Sequence, residues 1–298
     1  MSGTDEKSQP LSLRQFTHHP RDWRRNLYVY PVLSRRSGGL SIGINLNPDK
    51  ACNFDCIYCQ VDRTSPGAVK DVDLDRLRVE LKAMLEAVMS GEVQREPEFA
   101  DVPPARAQLK DIAISGDGEP TACKVFAEAV QAAAGVKREL DLPEVKLVLI
   151  TDAAYLARPR VQAGLKVLDA NNGEIWAKLD AGTQAYYQRV NRPNVPLSTV
   201  LDAILHASRE RPVVIQSLFM RVNGAGPDEA EISAFCARLK QIVGSGGRIS
   251  RVQVYTIARR PAEAEVSPLS PSEVDSIAER VGRCTGLAVE AYYGASDY

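Results

Sequence analysis

Cys52, Cys56 and Cys59 stand on one short segment, Asn47 to Cys59, at C-x3-C-x2-C spacing. A loop of that length brings three thiolates to one side, where they can wrap a cubic iron–sulfur cluster. Such a cube usually takes four cysteines. Here no fourth lies nearby, so one iron would keep an open position. An open position favours chemistry over storage, by the logic that separates catalytic from structural zinc. Two other readings stay open at this point. Structural zinc wants four ligands, commonly two C-x2-C pairs, and the chain has no second pair. A ferredoxin-type carrier or sensor would draw its fourth ligand from Cys123, Cys236 or Cys284. Chance clustering of core cysteines fits poorly with the polar Asn53 and Asp55 between them.

Further polar residues fall where apolar runs end. Gly116, Asp117, Gly118 and Glu119 follow Asp111–Ser115, and glycines there let backbone approach a ligand closely. Taken alone, the same residues make an ordinary turn before a helix. Lys178 and Asp180 alternate with apolar residues and so share a face. A charged pair on a buried strand needs a partner, either a ligand or each other. Gln216 and Ser217 sit in the run Val213–Phe219, and Gln253, Tyr255 and Thr256 in Arg251–Ile257. Arg221, Arg259 and Arg260 follow these runs and could grip phosphate or carboxylate groups, or form a solvated rim.

These residues must be positioned by an alternation of strands and helices. Apolar runs recur at Leu40–Leu46, Asp111–Ser115, Lys146–Thr151, Glu174–Leu179, Val213–Phe219 and Arg251–Ile257, the later ones about one βα unit apart. The unbroken run Leu147–Ile150 suits a parallel strand covered on both faces. Between the runs, Asp73–Met89, Ser198–Ala207 and Asp228–Val243 have helical period. Ser270-Pro271-Ser272-Glu273 opens a helix that stops near Gly286. Tyr28–Tyr30 reads as a short edge strand, and Glu92–Lys110 as an exposed excursion. The cysteine segment follows the first run directly, at the strand end that carries active sites in parallel α/β folds.

The 298 residues suffice for a large core, and 44% hydrophobic with 25% charged is ordinary for a globular chain. With 37 basic against 38 acidic residues, no global field pulls the protein onto nucleic acid. No apolar run approaches the ~20 residues that span a bilayer. The polar start, Met1–Pro10, lacks a signal-peptide core, so a cytoplasmic location and reduced thiols are expected. Residues 1–25 read as a flexible leader, with His18 and His19 solvated.

Tyr58 before the last cysteine completes a segment that resembles the C-x3-C-x-Φ-C signature of the radical SAM superfamily. Gly116–Pro120 resembles that superfamily's GGE motif in a Gly-x-Gly-Glu-Pro form. Six βα-like units in one direction mean either an incomplete barrel or a doubly wound sheet, and with the resemblance the expected fold is α/β, an incomplete (β/α)6 TIM-type barrel over residues 26–265. A C-terminal helix and strand cap would occupy 266–298. The resemblance implies a [4Fe–4S] cluster on Cys52, Cys56 and Cys59, with S-adenosylmethionine chelating the open iron. Tyr58 would lie against the adenine, backbone at Gly116, Asp117 and Gly118 would accept from the SAM ammonium, and Glu119 would fix that loop. Asp180 would reach the ribose, Lys178 the carboxylate, and Gln216, Ser217 and Tyr255 would line the mouth. An external one-electron donor of the flavodoxin or ferredoxin type is the implied partner. Gly43-Ile44-Asn45, Lys178-Leu179-Asp180-Ala181 and Val254-Tyr255-Thr256 look closest to bacterial proteins loosely grouped with the wyosine-type tRNA-modifying enzymes. No cysteine precedes Cys52, which departs from the second cluster of that type. A tRNA base, a small molecule and a peptide all stay open as substrate.

Overall fold

The apolar runs form one sheet, and they enter it in chain order. A computed structural model describes residues 23–259, 261 and 263–294. Strands β1 (Val29–Ser34) and β2 (Gly39–Asn45) lead to α1 (Leu74–Met89), α2 (Glu92–Arg95) and β3 (Leu109–Ser115). Next come α3 (Phe126–Glu139), β4 (Lys146–Thr151), α4 (Pro159–Asp169), β5 (Gly173–Lys178), α5 (Gln184–Asn191) and α6 (Leu197–Glu210). The chain ends with β6 (Val213–Leu218), β7 (Met220–Val222), α7 (Glu229–Gly244), β8 (Ile249–Tyr255), β9 (Val266–Pro268), α8 (Pro271–Thr285) and β10 (Val289–Tyr292).

The main sheet runs β1-β2-β3-β4-β5-β6-β8-β10, while β7 and β9 pair separately. β1 is antiparallel to β2, and every later neighbour in the main sheet is parallel. Helices α1, α3, α4, α6, α7 and α8 each cross between consecutive parallel strands. The result is an incomplete (β/α)6 TIM-type barrel, to which β10 adds one further parallel strand.

Burial explains the strands. Leu147, Val148 and Leu149 of β4 are fully buried. Leu147 and Leu149 join the large core between sheet and helices, whereas Val148 packs inside the barrel with Ala113, Trp176 and Val214. Each such side chain contributes roughly 1.5–3 kcal/mol by leaving water. The capping signal before α8 is realised. Ser270 accepts from Glu273 N, the Glu273 carboxylate accepts from Ser270 N, and Gly286 at φ +73° ends the helix. The stretch 92–110 lies largely at the surface but is anchored by buried Val93, Phe99 and Val102.

Glu80 of α1 is buried because it fixes the start of β1. Its carboxylate accepts from the backbone of Leu27 (2.9 Å), Tyr28 (2.8 Å) and Val29 (3.3 Å) and pairs with Arg76. Among the described residues no helix is long and apolar enough to cross a membrane. His18, His19 and Arg260 lie outside the described residues.

Candidate functional site

The cysteine loop leaves the C-terminal end of β2 and is held from two sides. On one side its backbone lies along the last turn of α5. Asp55 N donates to Asn191 O (3.2 Å) and Ile57 N to Val190 O (3.0 Å), while Phe54 meets Tyr187 edge-on at 5.7 Å. On the other side it rests on the loop after β3. A Cβ at Gly118 would overlap Ala51 O, so only glycine allows this approach, and Glu119 N donates to Ala51 O at 3.3 Å. Gly116, at φ +141°, passes under Asn45, whose side chain accepts from Asp117 N (3.1 Å) and donates to Asp117 Oδ2 (2.8 Å).

Glu119 ties this loop to the end of β4. Its carboxylate accepts from Thr121 N (3.0 Å), Thr151 Oγ1 (2.7 Å) and Asp152 N (2.8 Å). Burial pushes its pKa up, although these hydrogen bonds oppose the shift. Asp180, just past β5, is a second hub. Its Oδ1 accepts from Leu218 N (2.8 Å), and its Oδ2 accepts from Asn191 Nδ2 (2.9 Å) and the Tyr58 hydroxyl. Asp180 thus carries three bonds before any ligand arrives, which leaves it only part of its accepting capacity. Lys178 Nζ lies 4.6 Å from the Tyr58 ring centroid. Burial would depress its pKa, but Tyr255, Asp180 and Cys56 outweigh that and raise it, so the ammonium stays charged.

These elements enclose one cavity of about 630 Å³, in the range of small-molecule sites. Cys52, Cys56 and Cys59 line it together with Tyr58, Gly116–Glu119, Lys178, Asp180, Gln216, Tyr255 and Arg259. Cys123, Cys236 and Cys284 do not, so no fourth thiol reaches the space beside the three. Two expected residues are not brought there. Ser217 points away because strand alternation sends Gln216 inward and its neighbour to the helix side. Arg221 pairs instead with Glu273 at 2.7 Å, and it donates to Gly224 O.

Several lining residues escaped the sequence reading. Asp152 follows the end of β4, where the strand-end argument applied to the other strands would have found it. Asn191 links Cys56 Sγ (3.5 Å), Tyr58 OH (3.1 Å) and Asp180, and nothing local to its sequence signals this. Arg63 donates to Cys59 Sγ at 3.9 Å. Asp152 Oδ2, Tyr187 OH and Gln216 Oε1 are buried at the cavity without a hydrogen-bond partner, and such groups call for a polar ligand.

The donor set suits an iron–sulfur cube. Burial pushes the Cys52 thiol up to about 11 and the Cys56 thiol up to about 12, so both stay protonated at neutral pH until a cation shares the charge. Among the described residues, no three His, Cys, Asp or Glu side chains close around a single metal ion. A cube does not ask for that, since each of its cysteines holds a different iron.

No protein-family profile matches the chain. A Helicobacter pylori protein described as a UPF0026 protein is 27% identical over 246 residues, 82% of this chain and 70% of that one. A solved radical SAM methyltransferase from Sphaerobacter thermophilus superposes with a TM-score of 0.59 over 89% of this chain and 69% of its own, at 15% identity. The chain shares the fold of that protein. A structure of TYW1 with a lysine-pyruvate adduct bound is similar too, with a TM-score of 0.50 over 83% of this chain and 74% of that one, at 14% identity. The shared fold covers 89% and 83% of this chain in the two comparisons, and both spans include most of the barrel.

Proposed function

We propose that this protein is a radical SAM enzyme. Cys52, Cys56 and Cys59 hold a [4Fe–4S] cluster, and S-adenosylmethionine occupies the cavity beside it. One observation carries the reading: three thiols, the Gly-x-Gly-Glu loop and the Lys178–Asp180 strand end converge on one polar-lined cavity of about 630 Å³. Once bound, the cluster supplies the electron that splits SAM into methionine and a 5′-deoxyadenosyl radical, which takes hydrogen from a substrate.

The chain's own residues bind, orient and shield. The Gly116–Gly118 backbone accepts from the SAM ammonium, and Lys178 offers a fixed positive charge to its carboxylate. Tyr58 is clamped through its hydroxyl by Asp180 and Asn191, so its ring is a rigid wall for the adenine. The free acceptor of Gln216 faces the same space. The methyltransferase activity named for the Sphaerobacter protein does not transfer to this chain, and RNA, small-molecule and peptide substrates remain alternatives. An external low-potential donor of the flavodoxin or ferredoxin type completes the system.

The test is anaerobic reconstitution with iron and sulfide, followed by dithionite and SAM. Formation of 5′-deoxyadenosine is expected. A protein that takes up the cluster yet yields none is an electron carrier or sensor instead. Cys56→Ala should lose most of its iron, and full iron content in that variant would refute the ligand assignment. Binding of bulk tRNA with a steep salt slope would favour RNA as substrate.

A further inference from the structure

The segment after the third cysteine does not leave the site. It folds back onto the residues that precede the first. Lys50 Nζ donates to Ser65 O (3.1 Å) and Ser65 Oγ (2.7 Å), and also to Asp62 O. Asp62 accepts from Thr64 N (2.9 Å) and Ser65 Oγ (2.7 Å), and Ala68 N donates to Pro48 O (2.8 Å). A Cβ at Gly67 would overlap the Asp49 backbone, so the two segments touch directly. At the tip of this strap sits Arg63. One arm of its guanidinium donates to Lys50 O at 2.6 Å, and the other reaches Cys59 Sγ at 3.9 Å while facing the cavity. The Cys52 thiol lies close enough to the same guanidinium to interact with it.

We infer that Arg63 sets the reduction potential of the cluster, an inference that rests on the cluster proposed above. A cube held by three thiolates carries a net negative charge, which grows by one when an electron arrives from the donor. No bond forms or breaks in that step. A guanidinium fixed beside two of the three sulfurs favours the more negative, reduced form and draws electron density from Cys59 through the N–H···S contact. Arginine cannot lose its charge, so the effect persists across the working pH range. Arg63 is exposed, so solvent screens part of its charge, and the backbone anchor at Lys50 O holds the guanidinium beside the sulfurs at a fixed distance.

The experiment is a potentiometric titration of the reconstituted cluster, read by electron paramagnetic resonance, in wild type, Arg63→Gln and Arg63→Lys. Iron and sulfide analysis accompanies each sample. Arg63→Gln is expected to retain its cluster and titrate at a more negative potential, with Arg63→Lys between the two. A wild-type potential in a loaded Arg63→Gln protein overturns the inference. If Arg63→Gln fails to load, a loaded Arg63→Met protein at the wild-type potential overturns it equally. Loss of the cluster from both variants with circular dichroism unchanged makes Arg63 an anchor of the loop, not a tuner, and also overturns it. A wild-type chain that takes up no cluster refutes the proposed function instead.

Discussion

The three thiols meet different surroundings: Asn191 at Cys56, Arg63 at Cys59, and the loop's own backbone together with Arg63 at Cys52. The thiol spacing was readable from sequence because it is local. The neighbours were not, because Asn191 stands 135 residues from Cys56 and comes there only through α5. Gly118 is the position where the two motifs press hardest on each other. Gly118→Ala must displace the cysteine loop, with an expected cost of about 1–3 kcal/mol in thermal or denaturant unfolding and reduced iron retention. Asp111 offers a test away from the cluster. Burial raises its pKa and Glu174 raises it further, while Ser37, Ser41 and Arg36 oppose the shift. The folded state therefore prefers the protonated acid. The stability so contributed is full below the ordinary carboxylate value and is lost as pH rises through the raised one. Asp111→Asn should melt higher than wild type at pH 7, and the advantage should shrink on acidification in melts across pH 4–7.

At the scale of elements, the strand–helix rhythm was legible because near-continuous apolar strands and capped amphipathic helices are local patterns. The final strand was legible too, since the strand cap expected within 266–298 is realised as β10, Val289–Tyr292. The β7–β9 ribbon was not. Its strands are three residues each, too short to show a period, and they pair across 43 or more residues of chain. Nor was the docking of α5 on the cysteine loop, which depends on the turn out of β5. That turn is held by α7: Glu231 accepts from Gly182 N and Thr183 N (3.3 Å) and from Thr183 Oγ1 (2.5 Å). A Cβ at Gly182 would overlap Phe235 N, so helix and turn are in direct contact. Glu231→Ala would leave buried donors unpaired, at about 1–3 kcal/mol. It would also loosen α5, and through it Asn191 and the cysteine loop. The expected readout is a lower melting temperature together with faster iron loss to a chelator, although Glu231 touches no cysteine.

Across the whole molecule, the two edges of the open sheet are clasped by the turn between β1 and β2. Tyr292 OH donates to Arg36 O at 3.3 Å, and Arg35 donates to Tyr293 O. The Arg36 guanidinium lies 4.9 Å from the Tyr255 ring centroid and 5.9 Å from that of Trp176. This clasp borders the cavity, which Arg35 and Arg36 line together with the three cysteines. Deleting residues 287–298 should leave one edge of β8 unpaired, expose the Arg36 side of the cavity and lower the melting temperature by several degrees, measured against the full chain. The clasp also has a temporal meaning. The contact joins residues 256 positions apart, so it forms only after Tyr292 has left the ribosome. Until then the barrel is unfinished at one end, and a nascent chain presents its three thiols on an unsupported scaffold. The cluster proposed for these thiols would then be delivered after this contact has closed, as a step of maturation.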